Sequence, residues 1–181
     1  ARSGYLIRTT LDPMVQASVK QAVDKVASPT LDGVASVMSV IKPGKDAHRV
    51  MAMASNRTYG FNSDANETVQ PQPFSLVGDG AGSIFKIFTT VAALEMGMGI
   101  DAQLVIPGSF QAKGLGSSDT PGCPKETWCV KNAGNYRGSM NVTDALATSP
   151  NTAFAKLIQQ VGVPRAVDMA VRLGLRSYAR A

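Results

Sequence analysis

Residues 78–97 read GDGAGSIFKIFTTVAALEMG, a glycine-rich turn that runs directly into an apolar stretch with helical character. Ser83 stands at the start of the predicted helix, and Lys86 follows three residues later. Because residues three apart share one face of a helix, the Lys86 amino group is within reach of the Ser83 hydroxyl. The spacing therefore indicates a nucleophile placed beside its base.

The chemistry of this pair sets what its surroundings must supply. A serine hydroxyl is a weak nucleophile unless a neighbour removes its proton, and a lysine does so only when burial or nearby positive charge lowers its pKa. The apolar residues expected to form that wall are Ile84, Phe85, Ile87 and Phe88. The helix from Ser83 to about Met98 is apolar on most sides, so we expect it to be buried. A charged side chain on a buried helix favours a functional role for Lys86. An N-cap serine followed by a solvated lysine would show the same S-x-x-K pattern, so this alternative interpretation stays open.

A second motif lies at Ser149-Pro150-Asn151, between two helical patterns. An S-x-N element accompanies S-x-x-K in penicillin-binding proteins and class A β-lactamases. Two motifs in this order make the functional interpretation of Ser83 and Lys86 much stronger than either motif alone.

Three separated segments carry a resemblance to one family. They are TTLDPMVQ at residues 9–16, GSIFK with the following AALEMG in residues 82–97, and SPNTAFAKL at residues 149–157. Together they resemble the transpeptidase domain of a class A, bifunctional penicillin-binding protein, and the similarity extends over essentially the whole chain. The sequences of these segments are most similar to those of actinobacterial members. The resemblance implies an α/β fold of the α+β type, with an antiparallel sheet flanked by helices and a helical subdomain that bears the S-x-N loop.

The resemblance also implies an activity and a set of roles. The serine at the position of Ser83 attacks the D-Ala-D-Ala amide of a peptidoglycan stem peptide, and the acyl-enzyme then reacts with an amine from a neighbouring stem. β-Lactam antibiotics acylate the same serine. Lys86 would be the acylation base, Ser149 would relay a proton to the leaving amine, and Asn151 would hold Lys86 and the substrate amide. No cofactor and no metal are implied.

The family's third motif, K-T-G or K-S-G, occurs nowhere in the 181 residues. In the family it lies well beyond S-x-N, so we expect a fragment whose C-terminal part is missing. We expect residues 1–30 to be a linker and the first helix of the transpeptidase domain, and residues 31–181 to be its N-terminal portion. The resemblance places the protein at the extracytoplasmic face of the bacterial membrane, anchored by a segment outside this chain, with other cell-wall synthesis or division proteins as further partners.

Composition bounds the remaining possibilities. The net charge is +5 and the pI about 9.4, but the basic residues are scattered without aromatic interleaving, which argues against nucleic-acid binding. Cys123 and Cys129 could close a small disulfide loop or remain free thiols, and His48 is the only histidine, which disfavours zinc.

Two alternative functions stay open at this stage. A D,D-carboxypeptidase or β-lactamase on the same fold would use water in place of the amine acceptor. A non-catalytic domain that senses β-lactams could keep all four motif residues.

The rest of the chain shows a simple order of predicted elements. Asp12 should cap a helix of about four turns that starts at Pro13. The elements expected after it are a central strand at 34–41, a returning strand at 48–54, a region without clear elements at 101–138, and helices starting at Asn141, Thr152 and Val163. Because residues 34–41 are apolar on both faces, we expect helices to cover that strand on each side.

Overall fold

A computed structural model describes residues 4–70 and 82–176, and the chain divides into two compact units, residues 1–80 and 81–181. Residues 78–81 of the glycine-rich turn lie outside the described residues. None of the helices in the described ranges is long and apolar enough to cross a membrane.

The first unit is built from one helix and one hairpin. Helix α1 spans Pro13–Val26, strand β1 spans Val37–Lys42 and strand β2 spans Arg49–Ser55. The Asp12 carboxylate accepts hydrogen bonds from the backbone N–H groups of Met14 and Val15, which confirms the predicted cap. The two strands pair antiparallel, so the predicted hairpin is also confirmed.

Helix α1 packs on this hairpin through apolar and polar contacts. Val19 and Val23 form a small core with Ala52 and Ala54. The side-chain amide of Gln16 donates to the Met53 carbonyl at 2.8 Å and accepts from its N–H at 2.9 Å. The glutamine thus satisfies outward-facing backbone groups of β2 as a neighbouring strand would.

The prediction that residues 34–41 form a strand covered on both sides is wrong for the described structure. Val37 and Met38 are each 42% exposed and Ile41 is 52% exposed. Within residues 4–70, β1 pairs with β2 alone and only Val40 packs toward the small core. Alternate side chains of a strand point to opposite faces, so one packed helix leaves the other face open.

The second unit begins with a 3₁₀ turn, Gly82–Phe85, that leads into helix α2, Lys86–Glu95. The elements that follow are β3 (Gln103–Val105), β4 (Ser109–Lys113), β5 (Thr127–Lys131), β6 (Ser139–Asn141), α3 (Val142–Thr148), α4 (Asn151–Val161) and α5 (Val163–Arg172). Strand β3 pairs antiparallel with β6, and β4 pairs antiparallel with β5. Residues 101–138 therefore contain strands that the sequence pattern did not predict, because each is only three to five residues long.

The helices of this unit were predicted more accurately. Asn141 caps α3 by accepting from the Asp144 N–H at 2.7 Å, and Ser149 and Pro150 separate α3 from α4. Helix α5 ends at Arg172, just before Gly174 at φ 112°. Helices α2, α4 and α5 share a core with α3 and β3 that contains Ala92, Leu104, Ala145, Phe154, Leu157 and Met169. This packing fixes the first turn of α2 against the start of α4.

Candidate active site

Lys86 is the point where the two sequence motifs meet. Its Nζ donates hydrogen bonds to the Ser149 hydroxyl, the Ser149 carbonyl and the Asn151 Oδ1, each at 2.8 Å. Lys86 is the first residue of α2, Ser149 directly follows the last residue of α3, and Asn151 is the first residue of α4. The structure therefore brings together three of the four predicted site residues around one amine.

The surroundings of Lys86 act on its pKa through burial. Its ammonium group lies 5.3 Å from the centre of the Phe154 ring, and Phe154 is buried. Burial lowers the pKa of Lys86 below its ordinary value, because the charged form loses water. A larger fraction of neutral amine at a given pH is what a lysine base requires.

Ser149 adopts an uncommon backbone conformation. Its φ of 61° and ψ of 45° place it in the left-handed region, where residues other than glycine are rare. Its N–H donates to the Ala145 carbonyl at 2.7 Å, which ends α3 in this geometry. The conformation turns both the carbonyl and the hydroxyl of Ser149 toward the same Lys86 Nζ, and such strain is typical of functional sites.

Ser83 lies in the 3₁₀ turn ahead of Lys86 and is exposed. It lines the same cavity as Lys86 and Asn151, next to Gly82 at φ 55°. The three hydrogen bonds that the structure gives to Lys86 Nζ go to Ser149 and Asn151 and not to Ser83. In the described part of the chain, Ser83 is thus an exposed residue that lines the cavity.

This cavity has a volume of about 420 Å³ and mostly apolar walls. The large apolar side chains that line it are Phe85, Trp128, Val130, Phe154 and Ile158. The predicted wall was correct only for Phe85: Ile84 is 65% exposed, Ile87 is 44% exposed, and Phe88 packs against the core. Ile84 lies in the 3₁₀ turn and Ile87 in the first turn of α2, and neither side chain lines the cavity.

Trp128 and Val130 are site residues that sequence reasoning missed. They alternate on β5 with Cys129, which is joined to Cys123 by a disulfide in the structure. The only signal was the alternation in TWCVK at residues 127–131, which is short and follows a glycine-rich region. His48 is exposed, and the described residues contain no group of three or more potential metal ligands.

The chain is similar to known proteins in sequence and in structure. Residues 45–178 match the family described as the penicillin binding protein transpeptidase domain. The chain is 30% identical over 177 residues to penicillin-binding protein 1A of Mycobacterium tuberculosis, covering 96% of this chain and 18% of the relative. It is 28% identical over 157 residues to penicillin-binding protein 1A of Mycolicibacterium smegmatis, covering 86% of this chain and 17% of the relative. The chain thus spans less than a fifth of the length of either relative.

Solved structures show the same fold. The penicillin-binding protein PonA1 from Mycobacterium tuberculosis superposes with a TM-score of 0.63 at 26% identity, over 93% of this chain and 38% of that one. A penicillin G acyl-enzyme complex of penicillin-binding protein A from M. tuberculosis gives a TM-score of 0.60 at 24% identity, over 92% of this chain and 39% of that one. The expected α/β fold with antiparallel strands and packed helices is confirmed. Because the family match covers well over half of the chain, the protein belongs to the penicillin-binding protein transpeptidase domain family.

Proposed function

We propose that this chain provides the acylation centre of a serine D,D-transpeptidase that cross-links peptidoglycan stem peptides ending in D-Ala-D-Ala. The observation that carries the proposal is the convergence of Ser149 and Asn151 on Lys86 Nζ, beside a cavity that Ser83 lines. Ser149 and Asn151 lie 63 and 65 positions from Lys86 in the sequence, so the three residues meet only because the chain folds. The same centre would be acylated by β-lactam antibiotics.

In the proposed acylation step, the Ser83 Oγ attacks the carbonyl carbon of the penultimate D-Ala while its proton passes to the neutral Lys86 amine. The resulting tetrahedral intermediate collapses by breaking the C–N bond to the terminal D-Ala. That amine takes the Ser149 hydroxyl proton, and Ser149 regains a proton from Lys86. The Lys86–Ser149 distance of 2.8 Å supports this relay.

Deacylation in the proposal uses an amine of a neighbouring stem peptide. The amine attacks the acyl-ester carbon and gives one proton to Lys86. A new amide bond forms, the C–O bond to Ser83 breaks, and Lys86 passes that proton to the Ser83 oxygen. The result is a cross-link and a regenerated enzyme.

Asn151 would hold both the base and the substrate. Its Oδ1 accepts from Lys86, and its Nδ2 donates to the Lys131 carbonyl at 3.2 Å. A side-chain amide has two N–H donors, so one bond to Lys131 leaves a second N–H for a substrate carbonyl. The anchored amide would therefore orient a stem peptide along β5.

The wider context of the chain is also proposed. Since both relatives are named penicillin-binding protein 1A, we place residues 1–30 in a linker and first helix and residues 31–181 in the N-terminal portion of a transpeptidase domain of a bifunctional synthase. Such an enzyme would act at the extracytoplasmic face of the membrane.

The experiment uses the whole protein that contains these 181 residues. Its intact mass is measured before and after incubation with benzylpenicillin, and any adduct is mapped by peptide digestion. We expect one added penicillin on the peptide containing Ser83, no adduct in Ser83→Ala, and an unchanged adduct in Ser139→Ala, a variant of an exposed serine on β6. An adduct on another residue would overturn the assignment of Ser83.

The fate of the acyl group separates the transpeptidase from its alternatives. A stem peptide with an amine acceptor is added, and products are separated by mass. A cross-linked product supports the transpeptidase. Release of D-Ala with a hydrolysed stem indicates a carboxypeptidase, rapid loss of penicillin indicates a β-lactamase, and a stable penicillin adduct with no stem turnover indicates a sensor.

A further inference from the structure

The residue pair Asn132 and Thr152 lies directly behind the catalytic cluster and has no role in the steps above. Thr152 follows Asn151 at the start of α4 and is fully buried, and Asn132 follows Lys131 at the end of β5. Two consecutive residues of the strand end therefore meet two consecutive residues of the helix start.

The contacts between them form a closed set. The Thr152 N–H donates to Asn132 Oδ1 at 3.0 Å, and Asn132 Nδ2 donates to Thr152 Oγ1 at 2.9 Å. The Thr152 hydroxyl donates to the Pro107 carbonyl at 2.7 Å, and Asn132 Nδ2 also reaches that carbonyl at 3.3 Å. Pro107 lies between β3 and β4, so both side chains connect the start of α4 to the strands.

This arrangement replaces a missing helix cap. The first N–H groups of a helix have no partner within it, and the residue before the helix usually supplies one with its side chain. Here that residue is Pro150, whose side chain makes no capping hydrogen bond. Asn132 supplies the acceptor from the strand end, while Lys131 binds the preceding residue, Asn151, through its carbonyl.

We propose that Asn132 and Thr152 are positioning residues that hold Asn151 and Ser149 at hydrogen-bond distance from Lys86. The pair fixes where α4 begins relative to β5, and that start carries the Asn151 amide that binds Lys86. If the pair is lost, the turn at residues 149–151 moves away from Lys86 and water enters beside the amine. The inference rests on the proposed function only where it treats Lys86 as the base.

Other charges do not explain the state of Lys86. The lowering of its pKa has burial as its cause, with no contribution from a charged neighbour. The titratable side chains described on the elements packed around α2 and on β5 are Glu95, Lys131, Asp144, Lys156, Arg165, Asp168 and Arg172. Loss of burial should therefore raise the pKa of Lys86 toward its ordinary value.

The test compares Thr152→Val, which removes the hydroxyl at nearly constant volume, with Thr152→Ser, which keeps it. Asn132→Ala provides a second route, since Asn132 is less buried than Thr152. Thr127→Val is the matched control, because Thr127 is a buried threonine on β5 whose hydroxyl binds the Lys125 carbonyl. In the whole protein, the Lys86 pKa is followed by NMR titration of labelled lysine side chains, with Lys86→Arg for assignment.

We expect Thr152→Val and Asn132→Ala to raise the Lys86 pKa, and to slow acylation by a fluorescent penicillin at neutral pH about tenfold or more. Thr152→Ser and Thr127→Val should retain the wild-type pKa and rate. Equal Lys86 pKa values in all variants, with lower melting temperatures in some, would show a purely structural pair and overturn the inference. If the wild-type protein is not acylated, the proposed function fails, while the Lys86 titration still decides whether the pair positions the cluster.

Discussion

The ammonium group of Lys86 lies 5.3 Å from the centre of the Phe154 ring, which is buried in α4 one turn after Asn151. The ring attracts the cation through its π-face but also excludes water from it. Burial lowers the pKa of Lys86, which is the effect expected when water is excluded from the charged form. One aromatic side chain thus links the packing of the helical core to the protonation of the proposed base.

Replacing Phe154 should therefore change both stability and catalysis. Phe154→Ala leaves a void beside Lys86 that joins the cavity, and truncation of a buried phenylalanine costs about 3 kcal/mol of unfolding free energy. Water entering the void should raise the Lys86 pKa and move the pH dependence of acylation to higher pH. Chemical denaturation and acylation rates measured across pH check both effects. Phe154→Leu should show smaller changes, and equal pH profiles for both variants and the wild type would contradict the argument.

Lys86→Arg separates hydrogen bonding from proton transfer. Arginine can still donate to Ser149 and Asn151, but its guanidinium stays protonated and cannot accept the Ser83 proton. We expect the acylation rate constant to fall by about 10²- to 10⁴-fold, which is the usual contribution of a positioned base. Stopped-flow acylation with a fluorescent penicillin measures it, and a rate within a few fold of wild type would exclude Lys86 as the base.

The wild-type pH profile follows from the same pKa shift. The base acts as the neutral amine, so the acylation rate should rise with pH and level off above the Lys86 pKa. Because burial lowers that pKa, the midpoint of the rise should lie below pH 10.5, the ordinary value for lysine. A midpoint at or above pH 10.5 would mean that the Lys86 pKa is not lowered in solution.

The two sequence motifs predicted the candidate site residues, but the sequence did not predict the hydrogen bonds that hold the start of α4 against the strands. Ser83 and Lys86 are local in sequence, and S-x-N could be paired with them only through the family resemblance. The contacts among Pro107, Asn132 and Thr152 carry no sequence signal, because they join three segments through single polar residues.

The wrong predictions concern features that tertiary contacts decide and the local sequence does not. Short strands such as β5 are decided by their partners, and their own propensity is too weak to reveal them. The sequence of residues 34–41 showed how apolar the strand is, but only its neighbours decide which face is covered. The sequence pattern likewise predicted a helix from Ser83, whereas residues Gly82–Phe85 form a 3₁₀ turn and α2 begins at Lys86.

An exposed ion pair joins the end of α2 to α5. The Glu95 carboxylate accepts hydrogen bonds from Arg172 at 2.6 and 2.8 Å, and these bonds hold the Glu95 pKa below its ordinary value of 4.5. A carboxyl whose pKa is lower in the folded state stabilises that state above its unfolded pKa, and the contribution is lost as pH falls through the folded pKa. We expect Glu95→Gln to lower the melting temperature near pH 6.5, and we expect its difference from wild type to be smaller near pH 3. An equal difference at both pH values would contradict this linkage.

The Cys123–Cys129 disulfide closes a loop at one side of the site, with a sequence separation of six residues. A cross-link over so short a loop contributes about 2 kcal/mol by limiting the unfolded chain. Because Trp128 and Val130 flank Cys129 on β5 and line the cavity, a double Cys→Ser variant should lose melting temperature and acylate more slowly. Calorimetry and acylation rates check this, with reductant-treated wild type as the matched sample. If both samples keep the wild-type acylation rate while melting earlier, the disulfide stabilises the hairpin without shaping the cavity wall.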